Sequence, residues 1–388
     1  WPWGRSTDFG DIALTPVDQS LSISPADAEG HPQLPPMEPG QVLAYWETID
    51  RGVLVKENTS SGRWLKKLSG GAQMRFIRPT AVAIKGNALY VVDMGWDLLF
   101  RLDRTSAAIE PIAELSGLTE GDVGDIYIAE NGDIYLTDTD GSRVYRLTPA
   151  GRVATVYKSE LNLSKPVGVL EDNATKKVYI ADAEFDHIVI FSNEGELLDS
   201  IGGRGTEPGE FLNVTTLTSG AEGFYVGARV GQHVQVLAPD GSYLYSLDQT
   251  DVVFPFAIAT DYDFHLFVAD YMDNKIKVFS RGRYVTSIGG TGVGPGQFKR
   301  ITDLSFGDGF LYVADSLNAR IQVMRVGAAD AGLPAIAPAG GNESPAAPTG
   351  PANATPLNDF SDGPSTGPAN DGNTDLPDPA ALEPLPLP

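Results

Sequence analysis

The sequence predicts an all-β fold, a six-bladed β-propeller of four-stranded antiparallel blades with extended arms at both ends. Three observations predict it. A short apolar strand ending in aspartate recurs about every 44 residues, alternating strands surround each copy, and proline is concentrated outside this region. Short strands repeated in groups of four at this period are typical of propeller blades.

The recurring strand is the clearest repeated element. It ends in aspartate five times, at intervals of 45, 44, 88 and 45 residues, at Asp93, Asp138, Asp182, Asp270 and Asp315. The interval of 88 spans two periods, and its midpoint holds a degenerate copy that ends in Gly227. We interpret these aspartates as structural, because a carboxylate closing a strand accepts hydrogen bonds from backbone N–H groups of the following turn. A ring of five carboxylate ligands is the alternative, and Gly227 would interrupt it.

Further strands surround each copy. An inner strand precedes it and is often opened by proline, as at Pro79, Pro166 and Pro255. An alternating strand and a glycine turn follow, and they lead to an outermost strand, as at residues 195–202 and 282–289. Period-two alternation with Gly, Asn and Asp at the joints is the pattern of antiparallel strands.

Two blade connections have nearly the same sequence, at residues 202–211 and 289–298. Their phenylalanines, Phe211 and Phe298, stand 87 residues apart, which is again two periods. Together, these elements resemble the NHL repeat family over about 265 residues and in all six copies. The resemblance implies a closed six-bladed propeller.

Two arms flank the predicted propeller, which spans residues 62–326. The N-terminal extension covers residues 1–61 and the C-terminal tail residues 327–388. The tail contains eight acidic residues, no Lys or Arg, and 13 of the 28 prolines of the chain. Such compositions do not bury enough apolar surface to offset the entropy of the chain, so both ends are predicted to lack a core.

The propeller is predicted to close by pairing sequence from its two ends. The last copy supplies three strands and no outermost one, while residues 62–70 alternate like an outermost strand with no blade of their own. Pairing the two would remove the exposed edges. Residues 41–46 and 52–56 are also apolar, and are expected to add strands outside this blade or to begin a seventh. Six blades are favoured, because no inner strand precedes them.

Charge and cysteine content exclude several function classes. The net charge is −23, and a field of this sign argues against nucleic acid as a partner. The absence of cysteine excludes disulfides, Cys-ligated zinc and thiol catalysis. No apolar run approaches the 18 residues of a membrane span. The chain begins at Trp1, from which we expect an exported chain whose signal peptide is removed, in the periplasm, outside the cell or at its surface.

The pore mouth is where we expect a site, since the six inner strands begin there. The equivalent positions are Ala81, Asp125, Gly168, Thr215 or Thr216, Ala257 and Asp303. Asp125 and Asp303 are candidate ligands for a hard cation such as Ca²⁺, which takes six to eight oxygen ligands. This rim offers few oxygens, so an empty or water-filled channel without a cofactor is favoured.

No catalytic residues are predicted. Some six-bladed NHL proteins resemble peptide-amidating lyases, which use pore-facing histidines on zinc, but this sequence has no histidine at the inner-strand positions. Gluconolactonase-type propellers use a central carboxylate-and-amide metal site, which only Asp125 and Asp303 match in part. The four histidines do not form a zinc-site pattern, and no G-x-S-x-G elbow is present.

The arms carry the remaining candidate binding residues. Trp1 and Trp3 are large aromatics near one end, and Leu385 and Leu387 lie in a polyproline-like stretch at the other. We expect a non-catalytic scaffold or coat subunit that binds protein partners through its arms. It would form a homo-oligomeric or polymeric surface assembly, around a filament such as a multihaem cytochrome fibre. The alternatives are a metal-dependent lactonase or lyase at the pore and a ligand-sensing or adhesion module.

Overall fold

The computed structural model describes residues 41–54, 73–247, 251–261 and 264–327. These residues form 26 strands and one short 3₁₀ helix, Ser316–Asn318. The strands make six sheets arranged in a ring, each with at least four antiparallel strands. The predicted six-bladed β-propeller is therefore confirmed. No helix among the described residues is long and apolar enough to cross a membrane.

The first two blades follow a short N-terminal group of strands. In chain order, the strands up to the second blade are β1 Leu43–Ile49, β2 Arg51–Leu54, β3 Gln73–Arg75, β4 Pro79–Lys85, β5 Ala88–Asp93, β6 Leu98–Asp103, β7 Ala108–Glu114, β8 Val123–Ile128, β9 Ile134–Asp138, β10 Arg143–Leu147 and β11 Val153–Tyr157. Blade one contains β4 to β7 and blade two contains β8 to β11, with each strand hydrogen-bonded to the next.

Blades three to six follow the same order from the pore outward. Their strands are β12 Pro166–Glu171, β13 Val178–Asp182, β14 His187–Phe191, β15 Leu197–Gly202, β16 Leu212–Gly220, β17 Gly223–Val230, β18 Val234–Leu237, β19 Tyr243–Ser246, β20 Pro255–Thr260, β21 His265–Asp270, β22 Lys275–Ser280, β23 Arg283–Gly289, β24 Ile301–Gly307, β25 Phe310–Asp315 and β26 Arg320–Val326. Blades three, four and five have four consecutive strands each, and blade six begins with β24.

The ring is held by contacts between neighbouring blades. The innermost strands contact one another in chain order, and the last of them, β24, contacts the first, β4. Six clusters of buried apolar side chains lie between the blades, one at each interface. Phe100 of blade one and Tyr312 of blade six, for example, share one cluster and are fully buried. Each buried large side chain stabilises the fold by about 1.5–3 kcal/mol. Because the clusters lie at all six interfaces, this stabilisation is distributed around the ring.

The strand that closes the ring differs from the predicted one. β1, Leu43–Ile49, pairs antiparallel with β26 and supplies the fourth strand of blade six, the place predicted for residues 62–70. Residues 55–72 lie outside the described residues. The propeller therefore begins near residue 43 rather than at residue 62. Leu43 pairs with Val326, and the Gly327 N–H donates to the Val42 carbonyl at 2.8 Å, so the two ends of the propeller meet at one point.

Side-chain contacts account for the choice of β1. Trp46 packs on Phe310 of blade six, with ring centroids 5.9 Å apart. Glu47 forms an ion pair with Arg104 of blade one, and the Arg104 guanidinium lies 5.0 Å from the ring centroid of Tyr312 in blade six. β1 is thus fixed to both blades that meet at the closure. Alternation alone does not reveal such contacts.

The second predicted apolar stretch forms part of blade one. β2 pairs parallel with β7, the outermost strand of that blade, and antiparallel with β3. Blade one therefore has six strands, and β2 and β3 lie outside its propeller strands. Residues 41–54 do not begin a seventh blade.

The repeated blade connection has a steric basis. Gly289 adopts φ +112°, and a Cβ on it would lie 2.7 Å from the Phe298 ring. Gly202 and Phe211 repeat this arrangement, and both phenylalanines are buried. Glycine at this place lets the chain reverse direction and lets the ring pack directly against the backbone.

The chain divides into two units, Trp1–Gly341 and Asn342–Pro388. Every described residue belongs to the first. The predictions for the arms, including Trp1, Trp3, Leu385 and Leu387, lie outside the described residues.

Candidate binding site at the pore mouth

Each inner strand contains a β-bulge near its first residue. In β4, Pro79 pairs with Asp93 and Ala81 with Val92, which leaves Thr80 as the extra residue. The other five inner strands have the same irregularity at Gly124–Asp125, Val167, Thr215, Phe256 and Thr302. In β8, the Thr137 hydroxyl accepts hydrogen bonds from the N–H groups of Gly124 and Asp125. Bulges redirect side chains, so these six positions change which residue faces the pore mouth.

A cavity of about 500 Å³ lies on the face where the inner strands begin. We call it the pore-mouth pocket. Its wall contains the bulge residues Thr80, Gly124, Phe256 and Thr302. Each stands one position before a residue selected by the sequence pattern, namely Ala81, Asp125, Ala257 and Asp303. The remaining wall comes from the ends of the blade connections, the start of β8, the end of β17 and the segments that follow β21 and β25.

Three aromatic rings of blade five form one side of the pocket. Phe254 and Phe256 flank Pro255, the first residue of β20, and their ring centroids lie 6.0 Å apart. Tyr271, just after β21, lies 5.2 Å from Phe254 and 5.6 Å from Phe256. Rings at these separations attract one another, so the three form a mutually supported aromatic cluster. All three are only partly buried, which leaves apolar surface facing the pocket.

Two arginines extend from the aromatic cluster. The Arg229 guanidinium lies 5.0 Å from the Phe254 ring centroid. The Arg300 guanidinium lies 5.4 Å from the Tyr271 centroid, and its Nη2 donates to the Tyr271 hydroxyl at 2.7 Å. Both residues are exposed, and within the described part of the chain neither has a carboxylate within 4 Å. A guanidinium held over a ring keeps N–H donors free, and such groups bind carboxylates and phosphates.

A third arginine in the pocket wall is already neutralised. Arg78 of blade one donates two hydrogen bonds to the Asp122 carboxylate, at 2.8 and 2.9 Å. This forked pair ties blade one to blade two at the rim of the pocket. The pocket wall therefore carries two uncompensated positive charges, in a chain whose net charge is −23.

Asp125 and Asp303 lie in the channel wall, and neither lines the pore-mouth pocket. Asp125 Oδ2 accepts a hydrogen bond from the Val169 N–H of blade three at 2.8 Å. Asp303 Oδ2 accepts one from the Val82 N–H of blade one at 2.7 Å, and its Oδ1 accepts one from Leu304 N–H. Each carboxylate thus connects its own inner strand to the inner strand of the next blade.

The carboxylates of Asp125 and Asp303, which we call the hub carboxylates, influence each other's ionisation. Burial raises the pKa of Asp125 from 3.8 to about 6. Burial, together with the nearby Asp125 carboxylate, raises the pKa of Asp303 well above its ordinary value. Taking charges out of water disfavours the ionised form, and a second negative charge disfavours it further. The pair therefore retains a proton under conditions in which an exposed aspartate has lost it.

A second cavity, of about 450 Å³, lies on the opposite face, where the inner strands end. Ile84, Ile128 and Phe306 contribute apolar surface to its wall, and Thr218 and Ser219 contribute hydroxyl groups. It lacks the pairing of arginine with aromatic rings found at the pore-mouth pocket. We therefore place the candidate site at the pore-mouth pocket.

The five strand-closing aspartates line neither cavity and are almost fully buried. Asp182 accepts hydrogen bonds from the N–H groups of Ser164, Lys165, Glu184 and Phe185. Asp93 and Asp270 likewise accept backbone N–H bonds from the segment entering the blade and from the turn after the strand. Asp138 and Asp315 accept both backbone and arginine N–H bonds. These carboxylates fasten each blade connection to its blade.

No metal centre is formed by the described residues, in which no group of three or more His, Asp or Glu side chains is arranged to hold an ion. His187 and His233 contact backbone carbonyls, and His265 is buried against Asp261, with 2.6 Å between Nδ1 and Oδ2. None of these three histidines lies on an inner strand. Asp125 and Asp303 would supply two ligands at most.

Comparison with known proteins gives the fold. No protein-family model and no curated protein sequence matches the chain. A solved protein of unknown function from Bacteroides thetaiotaomicron is 16% identical, with a TM-score of 0.52 over 65% of this chain and 70% of that one. A streptogramin B lyase is 16% identical over 64% of this chain and 93% of that one, with a TM-score of 0.49. A virginiamycin B lyase from Staphylococcus aureus is 13% identical over 64% and 95%, also at 0.49. At these identities a likeness extends to the fold alone.

Proposed function

We propose that this protein is a non-catalytic propeller of the NHL type that serves as a protein-interaction scaffold or coat subunit in an exported surface assembly. The observation that carries the proposal is the pore-mouth pocket. Two arginines there, which have no carboxylate partner among the residues that the structure describes, stand beside three partly exposed aromatic rings. Arginine and aromatic side chains dominate the energetics of protein–protein contacts, so this is a surface suited to a partner.

The use of the hub carboxylates supports a non-catalytic role. Asp125 and Asp303 accept backbone N–H bonds from neighbouring blades, and the raised pKa of each favours the protonated form. A carboxylate engaged in this way stabilises the ring. The strand-closing aspartates are engaged in the same manner in the blade connections.

The composition of the arms supports assembly. The tail is acidic and rich in proline, and the N-terminal arm begins with two tryptophans separated by one proline. Extended segments of this kind bind partner surfaces at low cost in conformational entropy. In this proposal the propeller is the rigid part of each subunit, and the arms connect one subunit to another.

Deletion of both arms tests this function. A chain of residues 41–327 keeps every described strand and should unfold cooperatively, with a thermal midpoint within a few degrees of the full chain. Light scattering coupled to size exclusion should show an assembly for the full chain and a monomer for the deleted one. A full chain that stays monomeric at all accessible concentrations contradicts the scaffold function.

A metal-dependent lactonase or lyase at the pore is the second candidate, and the proximity of Asp125 and Asp303 favours it. Metal analysis after purification in calcium and in zinc separates the two functions. Stoichiometric metal that is lost in the Asp125→Asn, Asp303→Asn double variant would support the enzyme. Absence of bound metal in the folded wild type would reject it.

A further inference from the structure

We propose that the pore-mouth pocket binds an acidic, proline-containing peptide, and that the C-terminal segment 371–388 of a second copy supplies it. The inference rests on the proposed function and names the contact that would build the assembly. Two properties of the pocket lead to it: its charge and its aromatic surface.

Charge selects an acidic ligand. Arg229 and Arg300 are held by cation–π contacts and have no carboxylate within 4 Å among the residues that the structure describes. The chain as a whole carries −23, whereas Arg229 and Arg300 add positive charge to the wall of the pocket. A carboxylate accepts two parallel N–H bonds from one guanidinium, which makes it a well-matched ligand.

The aromatic surface selects proline. Phe254, Phe256 and Tyr271 present ring faces and edges side by side, over a width set by centroid separations of 5.2–6.0 Å. Proline-rich segments bind to aromatic-lined grooves because their extended conformation is largely preformed, which reduces the entropy lost on binding. A pocket that joins arginines to such a cluster matches a segment in which acids alternate with prolines.

The segment 371–388 has this composition. It contains four acidic residues, five prolines and no Lys or Arg. Asp375 and Asp378 are three residues apart with Pro377 between them, and residues at that spacing lie on one side of a polyproline II helix. A docked segment of that conformation would direct both carboxylates toward the arginines and Pro377 toward the rings.

Peptide binding tests the ligand class. The probe is a fluorescein-labelled peptide of residues 371–388, titrated with the full chain in low salt and followed by anisotropy. Reversing the charges with Arg229→Glu and Arg300→Glu should weaken binding at least tenfold. The matched control, Arg152→Glu with Arg283→Glu, makes the same charge change at exposed positions on the outer parts of blades two and five and should leave affinity within twofold.

A peptide with all four acidic side chains neutralised, by Asp371→Asn, Asp375→Asn, Asp378→Asn and Glu383→Gln, should bind at least tenfold more weakly than the acidic one. Equal affinities for the two peptides, or equal affinities for the pocket variant and its control, would overturn the assigned ligand. Circular dichroism of each variant checks that the propeller is folded before binding is compared.

Complementation tests the second copy as the source. A full chain with the pocket reversal keeps its tail, and a full chain with the neutralised tail keeps its pocket. Each alone should be monomeric, and an equimolar mixture should recover association as a one-to-one complex. Variants that assemble alone like the wild type, or a mixture that stays monomeric, would refute docking between copies. If docking between copies is refuted in either of these ways while the wild type still assembles, the scaffold function is not contradicted. A monomeric wild type would contradict both proposals.

Discussion

The hub carboxylates predict an unusual dependence of stability on pH. In the folded protein, Asp125 has a pKa near 6, whereas in an unfolded chain it ionises near 3.8. The folded state therefore holds a proton that the unfolded state releases, so unfolding becomes easier as pH rises from about 4 through about 6. The proximity of the two groups extends this window upward, because the pKa of Asp303 is raised well above its ordinary value.

The size of the effect follows from the shift at Asp125. A change in pKa from 3.8 to about 6 corresponds to a loss of about 3 kcal/mol of stability once pH exceeds the folded value. Asparagine resembles the protonated acid in shape and still accepts one hydrogen bond. The Asp125→Asn, Asp303→Asn double variant should therefore gain stability relative to wild type with rising pH, by at least about 3 kcal/mol between pH 4 and pH 8, because Asp303 adds to the contribution of Asp125.

Urea unfolding followed by circular dichroism measures this difference at each pH. The difference between variant and wild type isolates the hub pair, because every other titrating group is common to both proteins. Asp199→Asn, on the exposed outer strand of blade three, provides a control whose difference should not change with pH. Parallel stability curves for the double variant and wild type would refute the proposed protonation of the hub.

Three further perturbations test the fold. Asp182→Ala removes the acceptor of four backbone N–H groups and should lower the free energy of unfolding by about 3 kcal/mol, measured by urea titration. Gly289→Ala forces a Cβ onto the Phe298 ring, and should lower the thermal midpoint more than Gly290→Ala, which has a similar φ but open space around it. Removing residues 1–50 deletes β1 and should cause aggregation through the exposed β26 edge, whereas removing residues 1–40 should not; light scattering on refolding distinguishes them.

The blade count could be predicted from sequence because its signal is repeated. Asp93 and its four equivalents close strands at nearly constant spacing, and each is needed to accept the N–H groups of a blade connection. The closing strand could not be predicted in the same way. Several alternating segments near the N-terminus satisfy the pattern, and the contacts of Trp46 and Glu47 with blades six and one are non-local.

The pore-mouth pocket was hidden from sequence reasoning for two reasons. A bulge in every inner strand moves the pocket-facing position by one residue, so the pattern selected Ala257 where Phe256 lines the cavity. Arg229, in β17, and Arg300, at the end of a blade connection, lie outside the inner strands, and only inner-strand positions were expected to face the pore. The proline at the start of β20, flanked by two phenylalanines, was a local signal that could have drawn notice to the site.

The meeting of the two propeller ends at Val42 and Gly327 has a mechanical consequence. β1 and β26 are antiparallel, and both arms begin at the same end of this strand pair. Tension applied between the arms would therefore break the backbone hydrogen bonds between β1 and β26 one after another, starting at Leu43 and Val326, rather than all of them together. The pair would separate at low force, and the ring would open between β1 and β26 while the other five blades stay intact.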